Sequence, residues 1–141
     1  GIGNLRALAA AAFARCPHAA IALAAIDARM HEAYCAVHRN DDAVTELRAA
    51  TLESPAALDS IRRDTGADLV AGDALAVFPE AWGGLAGDRL PELRGGAGEI
   101  ARLARVDLAR GLAVPAAEAM PHYVRDRVAL TIDERRQKAA A

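Results

Sequence analysis

The fold is decided by the stretch Ala25-Ile26-Asp27-Ala28-Arg29-Met30-His31-Glu32-Ala33-Tyr34. A run of apolar residues, Ala19 to Ile26, leads into it without alternation, which predicts a strand covered on both faces. The chain then turns through Asp-Ala-Arg and leaves through Glu-x-Tyr, so that His31 to His38 is predicted to be the returning strand. The stretch therefore predicts a β-hairpin with a tight, charged turn.

Further elements are predicted on both sides of this hairpin. Asn4 is expected to cap a helix over Leu5 to Arg15, which Pro17 closes. After the hairpin, Arg39-Asn40-Asp41-Asp42 predicts a polar turn, and Val44 to Ala50 a third antiparallel strand. The first third of the chain is therefore expected to form a helix followed by a three-stranded meander.

The middle of the chain is predicted to form a helix and a short buried strand. Ser54-Pro55 predicts a helix start, with serine as the N-cap and proline at the first helical position. Gly66 is expected to end this helix in a left-handed conformation. The strand Leu69-Val70-Ala71 then stops at Gly72-Asp73, and Phe78 and Trp82 are expected to anchor a minor core.

The last third is expected to hold one helix and little other regular structure. The segment from Ala81 to Gly98 is rich in Gly and Pro, which predicts a loop. A helix ending at Gly111 follows, and its predicted buried stripe consists of Ile100, Leu103, Ala104 and Leu108. Pro115 and Pro121 favour an extended path beyond it. The order of elements predicts an α/β domain: three antiparallel strands followed by α-β-α.

Length and composition narrow the class of protein. The 141 residues suit one domain, and the net charge of −2 predicts no general attraction to nucleic acid. Alanine supplies much of the apolar content, so the core is expected to bury little apolar area for each residue. Cys16 and Cys35 show no metal-ligand spacing and are expected to be reduced. No run approaches the roughly 20 apolar residues that a membrane span needs. Leu5 to Ala14 imitates a signal peptide, but a helix is the favoured interpretation.

The charged hairpin is the first candidate site, with Asp27, Arg29, Glu32 and Tyr34 as its candidate residues. The structural interpretation is that Asp27 caps the turn while Arg29 pairs with Glu32. The functional interpretation is a ligand or partner contact. A phosphate-binding loop needs glycine and small hydroxyl residues. A bulky turn that begins with an anion argues against one.

Two further places are candidate sites, and no metal site is predicted. Gly72 and Asp73 end a strand, as a simple turn or as the remnant of a nucleotide-binding turn. Tyr123 and Arg125 lie on an extended segment, where tyrosine packs onto the body and arginine pairs with an acid, or where both contact a partner. His31-Glu32 is no zinc motif, because position 35 is Cys, so no metal ligands are predicted.

Two of these segments together resemble one protein family. Ile26 to Tyr34 resembles the Ala-Ile-Asp-Ala-Arg…Glu-x-Tyr hairpin of the TsaB (YeaZ) family of bacterial tRNA-modification proteins. Met120-Pro121-His122-Tyr123-Val124-Arg125-Asp126 resembles the family's closing segment, in the same order and at a similar spacing. The resemblance identifies residues 1–132 as a C-terminal TsaB-like domain whose N-terminal half is absent. Residues 133–141 are expected to be a frayed tail.

The resemblance implies a fold and a role. The fold is the ribonuclease-H-like half-domain shared by actin and sugar kinases. The role is that of a non-catalytic scaffold in the complex that makes N6-threonylcarbamoyladenosine at position 37 of tRNA, where it supports a TsaD-type catalytic paralogue. The implied partners are TsaD-like and TsaE-like proteins and a second copy, with the main interface in the absent half. The tRNA is contacted only through the complex.

The same resemblance implies that this chain holds no cofactor of its own, whereas ATP or ADP and a metal belong to the partner subunits. It implies a cytoplasmic protein without a membrane contact. Older usage calls the family glycoprotease, or peptidase M22. The alternatives are therefore a hydrolase of the glycoprotease superfamily or a nucleotide-binding protein. A small-molecule kinase half-domain would need a glycine turn at Asp27 to Met30, and this chain has none.

Overall fold

The computed structural model describes residues 2–84 and 87–125. The helices are α1 (Asn4–Arg15), α2 (Pro55–Thr65), α3 (Ala74–Val77) and α4 (Ala97–Ala109). The strands are β1 (Ile21–Arg29), β2 (Glu32–Arg39), β3 (Glu46–Glu53), β4 (Leu69–Ala71) and β5 (Asp88–Leu90). Two 3₁₀ turns cover Pro79–Trp82 and Ala116–Glu118. The predicted tail, 133–141, lies outside the described residues.

The strands form one five-stranded sheet in the order β3-β2-β1-β4-β5. The first three strands form the predicted antiparallel meander, and β4 and β5 add to it in parallel. The central strand β1 is covered on both faces, and Ala22 to Ala25 are fully buried. The ribonuclease-H-like α/β arrangement is thus confirmed. Strand β5 was not predicted, because three residues, Asp-Arg-Leu, carry no periodic signal.

Two helical layers enclose the sheet. On one face α1 and Leu103 of α4 pack against Ala22, Ala24 and Leu69. On the other face α2, α3 and the turn Pro79–Trp82 pack against the opposite side chains of the same strands. The alanines of α1 let backbones approach closely: a Cβ added to Gly95, just before α4, would lie 2.6 Å from the backbone of Ala7 and Leu8. Small side chains therefore set the spacing of this layer.

Two helix predictions were wrong in detail. Asn4 is the first residue of α1 rather than its cap, since Gly3 occupies the cap position and no side chain caps the helix. The predicted stripe of α4 is buried only at Leu103, while Leu108 is 66% exposed and Ile100 and Ala104 are exposed as well. Of the helices, α4 packs mainly on α1, and it joins the core cluster on this face of the sheet through Leu103. Gly66 ends α2 in the left-handed conformation, as predicted.

The third strand begins two residues later than expected. Val44 is buried but has a positive φ of 51°, so it lies in the turn before β3. The Asp41 side chain holds this turn by accepting hydrogen bonds from the backbone N–H groups of Ala43 and Thr45 and from the Thr45 hydroxyl. A side chain that competes for backbone donors in this way ends a strand pattern locally. Among the described residues, no helix is long and apolar enough to cross a membrane.

Candidate functional site

The C-terminal motif meets the hairpin directly. The Arg125 guanidinium donates to the Glu32 carboxylate at 2.8 Å and to the Ala28 carbonyl at 3.0 Å through Nη2. Its Nη1 donates to Met30 Sδ at 2.9 Å. The Arg125 side chain is only 11% exposed. The two segments that carried the family resemblance therefore form one structural unit, although they lie 93 to 97 positions apart.

The ion pairs of the hairpin differ from the expected ones. Asp27 caps the turn as predicted, because its Oδ1 accepts the Arg29 backbone N–H at 2.9 Å. The predicted Arg29–Glu32 pair is wrong: Arg29 pairs with Asp27 at 3.1 Å instead. The physical reason is that Glu32 is already bound to Arg125, and the Arg29 side chain, 87% exposed, points away from it into solvent.

The tip of the hairpin has an unusual backbone. Arg29, Met30 and His31 have φ values of 64°, 55° and 61°, so three consecutive non-glycine residues are left-handed. Such a conformation costs about 1–2 kcal/mol for each side-chain-bearing residue. The Asp27 cap, the bonds from Arg125 and the edge contact of the His31 ring with Phe78, at 5.4 Å, all oppose this cost. The tip is thus held in one strained shape.

The turn at Gly72 and Asp73 lies beside the hairpin. Asp73 Oδ1 accepts a hydrogen bond from the Asp27 backbone N–H at 2.8 Å. Because β1 and β4 are parallel neighbours, both turns emerge at the same edge of the sheet. Two carboxylates therefore occupy the region where a phosphate-binding fold would present backbone donors. This arrangement disfavours a phosphate group unless a cation lies between them.

The two tyrosines are placed differently. Tyr34 is half-buried and packs against the core cluster around α1. Of the two interpretations of Tyr123, packing onto the body is wrong because the ring is 74% exposed, and a contact with a partner stays a prediction. Arg125 ties the segment down instead, through polar contacts that leave the neighbouring tyrosine at the surface.

An open groove of about 910 Å³ lies on the α1 face of the sheet. Its walls are the first turn of α1, the faces of β1 and β2, the end of α4 and the segment that includes Tyr123. Nothing in the sequence signalled this groove, since its walls come from both ends of the chain. Arg6 and Asp107 join two of these walls through paired contacts of 2.7 and 2.8 Å.

His38 is a buried histidine on the floor of this groove. Its ring is 1% exposed, and its Nδ1 atom has no hydrogen-bond partner. Burial, and secondarily the positive charge of Arg6, lower the pKa of His38 to about 4. The Arg6 guanidinium also lowers the pKa of the Asp107 carboxyl. The ring of His38 is therefore neutral at physiological pH.

The buried histidine predicts a pH-dependent stability. Between pH 6.5 and 4 the unfolded chain binds a proton at His38 that the folded protein excludes, so stability falls as pH falls. We expect the titration of His38 to lower the free energy of unfolding by about 3 kcal/mol between pH 6.5 and pH 4. Urea unfolding at several pH values measures the loss, with His38→Gln as the variant without a titrating group. Equal pH dependence in both proteins would contradict the prediction.

The described residues, 2–84 and 87–125, contain no group of three or more His, Cys, Asp or Glu side chains that could hold a metal ion. His31 lies in the hairpin turn and contacts Phe78, whereas His38 is buried at the far end of β2. Cys16 and Cys35 are buried, and burial raises the pKa of both thiols. A raised pKa disfavours the thiolate that a nucleophilic cysteine needs.

No protein-family model and no curated protein matches the chain. Solved structures do. A protein from Pseudomonas aeruginosa described as uncharacterized, with similarity to peptidase YeaZ, matches with a TM-score of 0.70 and 27% identity over 88% of this chain. YeaZ from Pseudomonas aeruginosa matches with a TM-score of 0.70 and 26% identity over 86% of the chain. The matches span 57% and 58% of those two proteins, respectively.

The shared fold, the sequence identity over most of the chain and the contact between the two motif segments agree with one another. The resemblance predicted from the sequence is thereby confirmed: over most of its length the chain is similar in sequence and fold to YeaZ (TsaB) from Pseudomonas aeruginosa.

Proposed function

We propose that the chain is the C-terminal domain of a non-catalytic scaffold subunit, in the complex that forms N6-threonylcarbamoyladenosine at position 37 of tRNA. It supports a TsaD-type catalytic paralogue, works with a TsaE-like ATPase, and reaches tRNA only through the complex. The chain needs no cofactor, whereas ATP or ADP and a metal belong to the partners. The proposal places the protein in the cytoplasm and includes a homodimer.

One observation supports a structural role for the site: its polar side chains are engaged with one another. Glu32 binds Arg125, Asp27 binds Arg29 and its own turn, and Asp73 binds the Asp27 backbone. A catalytic acid, base or nucleophile must instead face the substrate with a free lone pair or proton. Polar groups used in this way stabilise the shape of the hairpin, and a fixed shape is what a partner surface requires.

The hairpin tip is the part of this unit that a partner can reach. Arg29 and Met30 are both exposed, and arginine and methionine are enriched at protein interfaces. Because the backbone of the tip is held in one conformation, little conformational entropy is lost on binding. We therefore place a contact with the TsaD-like partner at Arg29 and Met30, in addition to the main interface of the family's N-terminal half.

The test is capture of the TsaD-like and TsaE-like proteins of the same organism. Two baits are compared: the chain itself, and the same chain joined to the N-terminal half of a YeaZ relative. We expect the joined protein to capture the TsaD-like partner, and Arg29→Ala to weaken its binding about ten-fold. Arg63→Ala is the matched control, since Arg63 is also an exposed arginine paired with an aspartate, on the distant helix α2.

Failure of both baits to bind would overturn the scaffold proposal. The groove of about 910 Å³ then favours the alternative, a hydrolase of the glycoprotease superfamily or a nucleotide-binding protein. Calorimetric titration with ATP and a peptidase assay on the same preparation would test that alternative. Equal loss of binding in Arg29→Ala and Arg63→Ala would reject the hairpin contact alone.

A further inference from the structure

The chain beyond α4 forms a strap, which we define as residues 112–125, and the strap lines the groove through Leu112 at its start and through residues 122–125 at its end. Its first end is tied by the Leu112 N–H, which donates to the Asp107 carbonyl at 2.9 Å. Its last end is tied by Arg125. Within the described part of the chain, the strap residues between these ends make no hydrogen bond to the rest of the protein. Those of the turn Ala116–Glu118 stay within the strap.

The two ends of the strap form part of the wall of the groove. Leu112, Tyr123 and Val124 line the groove from the strap side, and β2 lines it as well. Most of the strap is exposed, and Met120 and Tyr123 bury little surface against the body. Among the described residues, apolar burial therefore contributes little to holding the strap in place, and the contacts that hold it are those at Leu112 and Arg125.

The contacts of Arg125 include both favourable and unfavourable contributions to the closed state. The guanidinium makes a charge-assisted bond to Glu32 and a bond to the Ala28 carbonyl, and the thioether of Met30 is a weak third acceptor. Against these, the Arg125 Nε atom is buried without a partner and has lost its hydration. When the strap opens, water hydrates Nε again. The net stabilisation of the closed state is therefore smaller than the sum of its hydrogen bonds. Glu32 is the single charged partner that holds it closed.

We propose that Arg125 is a latch, and that its release from Glu32 swings the strap away and opens the groove. The closed strap restricts access to the face of β2 that carries Tyr34 and His38, and the open strap exposes it. The latch also joins the strap to the hairpin tip, because Arg125 contacts Ala28 and Met30. Any partner that displaces Met30 or Glu32 therefore loosens the strap. The proposal does not depend on the scaffold function.

Limited proteolysis of the whole chain tests the latch. Trypsin cleaves after arginine, and the Arg125 side chain is largely buried in the closed state. When opening is fast relative to cleavage, the rate of cutting follows the population of the open state. In Glu32→Gln, which keeps the shape of the side chain and removes its charge, we expect cleavage after Arg125 to accelerate about ten-fold. Mass spectrometry assigns each cut.

Glu53→Gln is the matched control, because Glu53 also pairs with an arginine, Arg48, at 2.9 Å on the neighbouring strand. It should leave cleavage after Arg125 unchanged. Cleavage after Arg62 and Arg63, in helix α2, reports general unfolding in every variant. An unchanged rate at Arg125 in Glu32→Gln would overturn the proposal, and so would a rise matched by that at Arg62 and Arg63.

A distance measurement distinguishes an open strap from local fraying at Arg125. Nitroxide labels at Glu118→Cys in the strap and Glu46→Cys in β3 report the position of the strap relative to the sheet, while the two native cysteines are buried. We expect a single distance population in the parent and an added population of longer distances in Glu32→Gln. The exchange Glu32→Arg with Arg125→Glu should restore the single population of the parent. The same distribution in parent and Glu32→Gln would overturn the opening of the strap.

Discussion

Replacing Gly72 with alanine is expected to destabilise the protein by about 3 kcal/mol or more. Gly72 has a φ of +116°, which side-chain-bearing residues rarely adopt. A Cβ at this position would lie 2.0 Å from the Ala25 carbonyl oxygen and 2.9 Å from Leu8 Cδ2. The first of these atoms belongs to the backbone of the central strand, which cannot move without disturbing the sheet. Urea unfolding followed by circular dichroism measures the loss.

Gly66→Ala separates backbone strain from this steric clash. Gly66 is also left-handed, with a φ of +68°, but a Cβ there has no atom within 4 Å. We expect a loss of only about 1 kcal/mol, from the conformation alone. Similar losses in the two variants would show that the close approach of Ala25 and Leu8 to Gly72 has no energetic consequence, which would contradict the prediction.

Truncation of Trp82 to alanine is expected to lower the free energy of unfolding by about 3–5 kcal/mol. Trp82 is the largest fully buried side chain, in a core cluster whose other members are Phe78, Cys35, alanines and medium-sized aliphatic residues. Its Nε1 donates to the Ala74 carbonyl at 3.4 Å, so the substitution removes a polar contact as well as apolar area. The midpoint of urea unfolding should fall sharply. Circular dichroism is the proper probe, because Trp82 is the only tryptophan.

Val77→Ala is the control for this truncation. Val77 lies on the adjacent helix α3 and is 48% exposed, so its side chain leaves no buried cavity. A loss below about 0.5 kcal/mol is expected, as for most surface substitutions. If Val77→Ala cost as much as the tryptophan truncation, the effect would have to be assigned to helix α3 rather than to the filling of the core.

Prediction from the sequence succeeded where the signal lies within a few residues. The hairpin, the Ser54-Pro55 helix start and the left-handed Gly66 each depend on neighbours along the chain, and each was found. Prediction failed where side-chain contacts decided the outcome. Of the apolar residues predicted for one face of α4 only Leu103 is buried, and Val44 was placed in a strand although the hydrogen bonds of the Asp41 side chain hold it in the preceding turn.

The candidate site shows the same division. The resemblance to the family's two motifs singled out Asp27, Glu32 and Arg125. It did not give the pairing of Glu32 with Arg125, because Arg29 was the nearer partner in sequence. Tyr123 was assigned the packing role that Arg125 performs through polar contacts. His38 and the Arg6–Asp107 pair gave no signal, since an isolated histidine and two charges 101 positions apart form no pattern.

The sequence by itself determined the order of the elements, the hairpin and its charged turn, and the resemblance to the YeaZ family. These follow from periodicity, turn residues and short motifs, which act between residues close in the chain. Only the tertiary structure decided that Arg125 binds Glu32, that residues from both ends of the chain line one groove, and that His38 is buried and neutral. Contacts of this kind depend on how helices and strands pack, because burial and charge pairing are fixed only when distant segments meet.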